Sequence, residues 1–152
     1  LINLEPAVSM HYRQDIPVRL EGSEPVPIDR FLVRHKEYLP HCFAGDFEMI
    51  GHCTETSADP ESLRRWEDIF SAAGLSLKIR RAGCCGMAGL FGHEAEHREM
   101  SREIFDLSWA ERVAEGQGAL LATGFSCRSQ AKRFAHVALQ HPVQALDRAL
   151  DA

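Results

Sequence analysis

Two adjacent cysteines, Cys84 and Cys85, sit in the run Gly83-Cys84-Cys85-Gly86-Met87-Ala88-Gly89-Leu90-Phe91-Gly92, which carries four glycines in ten residues. Thiolates act as nucleophiles and as metal ligands, so a vicinal pair offers redox chemistry or two ligands to one centre. Successive side chains of extended backbone point to opposite sides, and the pair reaches one centre only if the chain turns sharply around it. Gly83, Gly86 and Gly89 permit that turn, because glycine takes positive φ without a Cβ clash and lets backbone N–H groups approach an anion closely. The run reads as a cofactor loop. The plainer alternative is a tight strand-to-helix turn in which cysteine serves as a small buried hydrophobe.

The elements around this loop repeat one pattern. Phe47 to Cys53 reads as a strand ending in His52-Cys53, with Thr54 to Ser57 as a loop. Asp59-Pro60-Glu61 starts a helix that Gly74 ends, and Leu75 to Arg80 alternates as a strand that delivers the chain to Cys84. His93 to Glu115 has helical period, and Ala119 to Thr123 is a buried strand followed by Gly124-Phe125-Ser126-Cys127-Arg128. A helix around Gln130 to Leu139 and a last one from Val143 to Leu150 follow. Before this core, Leu1 to Leu4 reads as a first strand, Pro6 opens a helix through Tyr12, Ile16 to Pro27 is a linker, and Arg30 to Leu39 is a helix. Alternating strands and helices predict an α/β fold: a parallel sheet of about four strands, near residues 1–4, 47–52, 75–80 and 119–123, flanked by helices. Such sheets bind ligands beyond the carboxyl ends of their strands, where Cys53, Cys84, Cys85 and Cys127 all fall, so one four-thiolate site is the economical expectation.

Composition bounds the remaining possibilities. The 152 residues suffice for one domain with its own core, and a formal charge of −5 argues against a nucleic-acid partner. Five cysteines, two of them adjacent, do not suit an oxidised secreted framework and point to a cytoplasmic setting, the inner face of the membrane included. No apolar run reaches the length of a membrane span. The strand-like start without Met suggests a piece of a longer protein.

The series His52-Cys53, Gly83-Cys84-Cys85-Gly86-Met87-Ala88-Gly89, Phe91-Gly92, Glu94, Glu96-His97 and Gly124-Phe125-Ser126-Cys127-Arg128, closed by His141-Pro142, resembles the CCG cysteine-rich domain. That domain occurs in heterodisulfide reductase and in iron–sulfur parts of glycolate, lactate and glycerol-3-phosphate oxidoreductases. The chain looks most like the C-terminal domain of long FAD-linked oxidases of D-2-hydroxy acids (lactate, glycolate or 2-hydroxyglutarate). The resemblance implies one CCG-type domain over 1–152, with 47–141 as its motif-bearing core and 1–46 as a lead-in. It further implies an iron–sulfur cluster on Cys53, Cys84, Cys85 and Cys127, FAD elsewhere in the parent, and preceding CCG and ferredoxin-like domains as partners. Members with the fullest motif carry another Cys three positions after the one matching Cys127, where this chain has Gln130, which leaves four thiolates, enough for an ordinary cluster or for zinc. Cys42 lies outside the motif and reads as structural.

His93-Glu94-Ala95-Glu96-His97 also matches the H-E-x-x-H pattern of zinc hydrolases, in which two imidazoles lie one helical turn apart. Its position directly behind the cysteine loop, and the resemblance of Glu96-His97 to the CCG motif, favour a different role, with His97 and His52 either as donors to the thiol site or as satisfied core histidines. Arg128, with Arg80 and Arg81, flanks the cysteines, where the three either favour thiolates or serve as solvated surface arginines. Two function classes follow: an iron–sulfur electron-transfer module within a flavoprotein, and a structural zinc-binding or metal-free assembly domain of the same enzyme. The isolated fragment is expected to turn over no hydroxy acid and to carry zinc or no metal at all.

Overall fold

The computed structural model describes residues 1–16, 24–39, 41, 45–116 and 119–150; Cys42, Pro17, Gly22, Pro40 and Gly118 lie outside them. The chain opens with β1 (Ile2–Asn3), α1 (Pro6–Gln14), β2 (Val26–Pro27) and α2 (Ile28–Arg34). The core follows as β3 (Asp46–Ile50), α3 (Cys53–Ala58), α4 (Glu61–Ala72) and β4 (Ser76–Ile79). After the cysteine loop come α5 (Arg98–Phe105), α6 (Glu111–Glu115), β5 (Leu120–Ala122), α7 (Phe125–Gln130) and α8 (Pro142–Leu150).

The fold is α/β with parallel sheets, but the sheet of about four strands divides. β3 is central, paired in parallel with β4 on one side and β5 on the other, while β1 pairs with β2 in a separate two-stranded parallel ribbon. The first strand stops after two residues because Asn3 binds its own neighbourhood, giving Nδ2 to the Glu5 carbonyl at 2.8 Å and accepting the Glu5 N–H on Oδ1 at 3.2 Å.

Period-2 alternation along the strands sorts two apolar faces. Met49 and Leu121 pack with Trp66, Ile69, Phe70 and Leu75, joined by Ala145 and Leu146 of α8, whereas Ile50, Leu120 and Ala122 pack with Phe105, Trp109 and Val113. Cys85 and Cys127 belong to the second group. The residues before the motif are tied to the first: Ile28, Leu32 and Val33 pack on it, and buried Asp29 accepts from Arg65 Nε at 2.6 Å.

Three further expectations change. The stretch after Cys53 is the helix α3 rather than a loop. The helix expected from His93 starts at Arg98, after two separate 3₁₀ turns at Phe91–His93 and Ala95–His97, because Glu94 between them is extended at ψ 132°. From there it runs to Glu115 through a π turn at Asp106–Ala110. The helix expected from about Gln130 begins at Phe125 and ends in a second π turn at Ala131–Ala135, stopped by His136 in the left-handed region at φ 58°. Among the described residues no helix is long and apolar enough to cross a membrane.

Candidate thiol site

Cys53 opens α3, whose start is fixed by a capping box. His52 Nδ1 accepts from the Thr54 N–H at 3.1 Å, and the His52 N–H donates to Glu55 Oε2 at 2.9 Å. The bare Nδ1 leaves the ring proton on Nε2, which donates to Ser126 Oγ at 3.2 Å. The same His52 N–H reaches Thr123 Oγ1 at 2.9 Å, so the chain leaving β3 is bonded to the chain leaving β5. Gly124 is required at this crossing, since a Cβ there would lie 2.2 Å from His52 Cδ2 and 3.0 Å from Cys127 Sγ.

The vicinal pair is held by its backbone. Four successive carbonyls accept from side chains of the surrounding helices: Gly83 from Trp109 Nε1 at 3.0 Å, Cys84 from Ser108 Oγ at 2.9 Å, Cys85 from Gln130 Nε2 at 3.1 Å and Gly86 from Ser101 Oγ at 2.8 Å. Gly86, at φ +85°, sends its N–H to Cys84 Sγ at 3.3 Å, and a Cβ on it would lie 2.2 Å from the Ser101 carbonyl oxygen. Gly89, at φ +68°, faces open space. Ser101, Ser108 and Trp109 recur at helical spacing, the signal by which these clamps are readable once the loop is known.

The four thiols interact electrically with one another. Cys127 donates to Cys85, and this bond, helped by the Met87 N–H and the Ser126 hydroxyl, overcomes burial and lowers the Cys85 pKa to about 7. The same bond, together with burial, raises Cys127. Burial, then the negative charges on Cys84 and Cys85, raise Cys53. All four are free thiols, Cys53 exposed and Cys85 and Cys127 buried. An open pocket of about 410 Å³ has Cys53, Cys84, Cys85 and His52 in its wall.

Other site residues are distributed unevenly. Gly89 lines the pocket, and Gly83 and Gly86 lie in the clamped loop behind it. His97 stacks on Phe91 at 4.3 Å and binds Glu94 Oε2 at 2.7 Å outside the pocket, whereas His93 lines it. Because His93 and His97 occupy different 3₁₀ turns, they lack the one-turn helical relation of a zinc-hydrolase motif. Arg128 Nη1 donates to the carbonyls of Ala122 and Thr123, at 2.9 and 2.7 Å, and so closes the end of β5. Arg80 pairs with Glu48 at 2.8 Å. Sequence reasoning missed Glu5, which lines the pocket and accepts the Phe125 N–H at 2.7 Å, at the start of the Cys127 helix; nothing in the spacing of residue 5 marks it.

The thiol set suits a metal centre in donor chemistry: four free, soft sulfurs. Among the described residues, the one group of three candidate ligands with donor atoms within 4.8 Å of one another is Glu94, Glu96 and His97, so no three cysteine sulfurs lie that close. A single tetrahedral zinc, with bonds of about 2.3 Å, draws its sulfurs to roughly 4 Å apart.

The chain is similar to curated proteins named D-2-hydroxyglutarate dehydrogenase. It is 41% identical over 151 residues to the one from Pseudomonas putida, covering 96% of this chain and 15% of the relative. It is 36% identical over 156 residues to that of Escherichia coli, with the same shares, and 52% identical over 99 residues to that of Haemophilus influenzae, covering 64% of this chain and 10% of the relative. The chain thus spans about one seventh or less of the length of these relatives. No family model and no solved structure matches it.

Proposed function

We propose, taking the similarity to D-2-hydroxyglutarate dehydrogenases as premise, that this chain is the thiolate-bearing electron-transfer domain of a longer FAD-linked oxidoreductase acting on D-2-hydroxy acids. One observation carries the reading: cysteines from three separate post-strand segments converge, Cys53, Cys84 and Cys85 in the wall of one pocket and Cys127 in the same buried group as Cys85. Cys53, Cys84, Cys85 and Cys127 are the proposed ligands of an iron–sulfur cluster, which when bound supplies one-electron transfer. The chain's own residues hold the thiols in place. The carbonyl clamps fix Cys84 and Cys85, the His52 cap fixes Cys53, and Ser126 links His52 to the sulfurs of Cys85 and Cys127. That no three of these sulfurs lie within 4.8 Å of one another supports a multi-iron centre over a structural zinc.

Flavin chemistry and substrate binding are assigned to other parts of the parent, with the CCG and ferredoxin-like domains as neighbours. The test uses the full-length parent prepared without air. Iron and acid-labile sulfide should be present, with a paramagnetic signal on reduction. Serine at Cys84 or Cys85 should abolish electron delivery to an external acceptor while substrate still reduces the flavin. Stoichiometric zinc at these cysteines, or equal loss of flavin reduction in a folded variant, would overturn the proposal.

A further inference from the structure

A second cavity, of about 30 Å³, shares no lining residue with the thiol pocket and lies where α1 and α2 meet the core. Ser9 of α1 and Asp29 of α2 form one side of it, and Glu55, Ser62, Trp66 and His141 the other. Two N–H groups of this wall have no acceptor. Trp66 is 1% exposed and His141 5%, yet neither Trp66 Nε1 nor His141 Nε2 has a hydrogen-bond partner among the described residues. His141 Nδ1 accepts from the Val143 N–H at 3.2 Å, which puts the ring proton on Nε2, and the Leu4 carbonyl faces the ring short of bonding geometry at that atom. The two rings pack edge to face, with centroids 5.7 Å apart. Acceptors are in surplus beside them: Ser62 Oγ has one proton for two carboxylates, Asp29 Oδ2 at 2.9 Å and Glu55 Oε1 at 2.8 Å. Leaving such buried groups unpaired is costly, and protein interiors pair them through ordered water where a cavity is polar and roomy enough.

We propose that this cavity is an internal water site, in which bound water accepts from the Trp66 indole and the His141 imidazole and donates to the carboxylates of Asp29 and Glu55. Size, charge and polarity select the ligand. One water needs about 10–15 Å³, so the cavity takes one or two waters and no larger molecule. Two N–H donors cannot ligate a cation. The wall sets the carboxylates of Asp29, Glu55 and Asp59 against the guanidinium of Arg13, which disfavours an anion. Water meets both demands, because it accepts from the nitrogens and donates to the carboxylates. The bridge joins α1 and α2 to the core directly behind Glu55, whose Oε2 takes the His52 N–H at the start of the Cys53 helix. The site depends neither on a metal nor on the electron-transfer reading.

Crystals of the full-length parent, at a resolution that shows ordered water, test it. A density peak should lie within hydrogen-bond distance, about 3.2 Å or less, of both Trp66 Nε1 and His141 Nε2. A second data set from crystals soaked in bromide should show no anomalous signal there. Trp66→Phe deletes one donor and keeps an aromatic ring, and it should remove the peak or lower its occupancy by about half or more. Three results would each overturn the proposal: no peak in the unsubstituted protein, a bromide signal at the site, or a protein group seated on the two nitrogens. A peak undiminished in a folded Trp66→Phe protein would overturn it as well. Should that variant not fold, the map of the unsubstituted protein and the bromide data decide on their own.

Discussion

The Cys127 thiol determines the charge of its neighbour. It donates to Cys85, holding that group at about 7 against the ordinary 9.0, while the proton it keeps puts its own titration higher. Cys127→Ala removes the donor, so the Cys85 thiolate loses stabilisation and its pKa rises. In metal-free protein carrying Cys53→Ser and Cys84→Ser, alkylation of Cys85 should be half-maximal near pH 7 and shift upward by about one unit or more when Cys127 is also replaced. An unchanged midpoint would show that the pair is not bonded. The cysteines were legible because each follows a strand. Glu5 was not, since its role arises from a contact between residues 120 positions apart.

Two helices begin on histidine caps of the same design. His52 accepts the Thr54 N–H on Nδ1 and donates its own N–H to Glu55; His141 accepts the Val143 N–H at 3.2 Å and donates its N–H to Gln144 Oε1 at 2.9 Å. The sequence-level signs of a helix start are Ser, Thr, Asp or Asn, and so His52-Cys53-Thr54-Glu55 read as a strand end and a loop. The cap works only while Nδ1 carries no proton, and burial lowers both imidazoles, His141 to about 4 from 6.5. The sign follows from the folded value being the lower one: between pH 6.5 and 4 the unfolded chain binds the proton that folded His141 refuses, so stability falls as pH drops through that window. The expected loss is on the order of 3 kcal/mol, read as a falling urea midpoint. His141→Asn keeps a capping acceptor without a titrating ring and should flatten the dependence.

At the scale of the whole molecule, the alternation of strands and helices foretold parallel strands with helices between them; the sheet is parallel as expected, with three strands instead of about four. What pattern could not reveal was that Asn3 ends the first strand, and that Glu94 breaks the long helix before Arg98, because both depend on local bonds or backbone angles rather than periodicity. Adjacent residues of β3, Met49 and Ile50, point into opposite faces, one built from Trp66, Ile69 and Phe70, the other including Cys85 and Cys127 among its buried residues. The first face is built on aliphatic and aromatic packing, whereas the second includes a loop without regular structure, fastened by four side-chain bonds. The sheet thus carries two buried groups held in different ways, and the difference predicts unequal local stability. Amide protons of α4 should exchange with solvent at the rate of global unfolding, and those of residues 84–92 much faster in metal-free protein, as deuterium uptake would show. The loop is thus gripped by its carbonyls and not by its sulfurs, which leaves the thiols themselves free of the scaffolding that carries them.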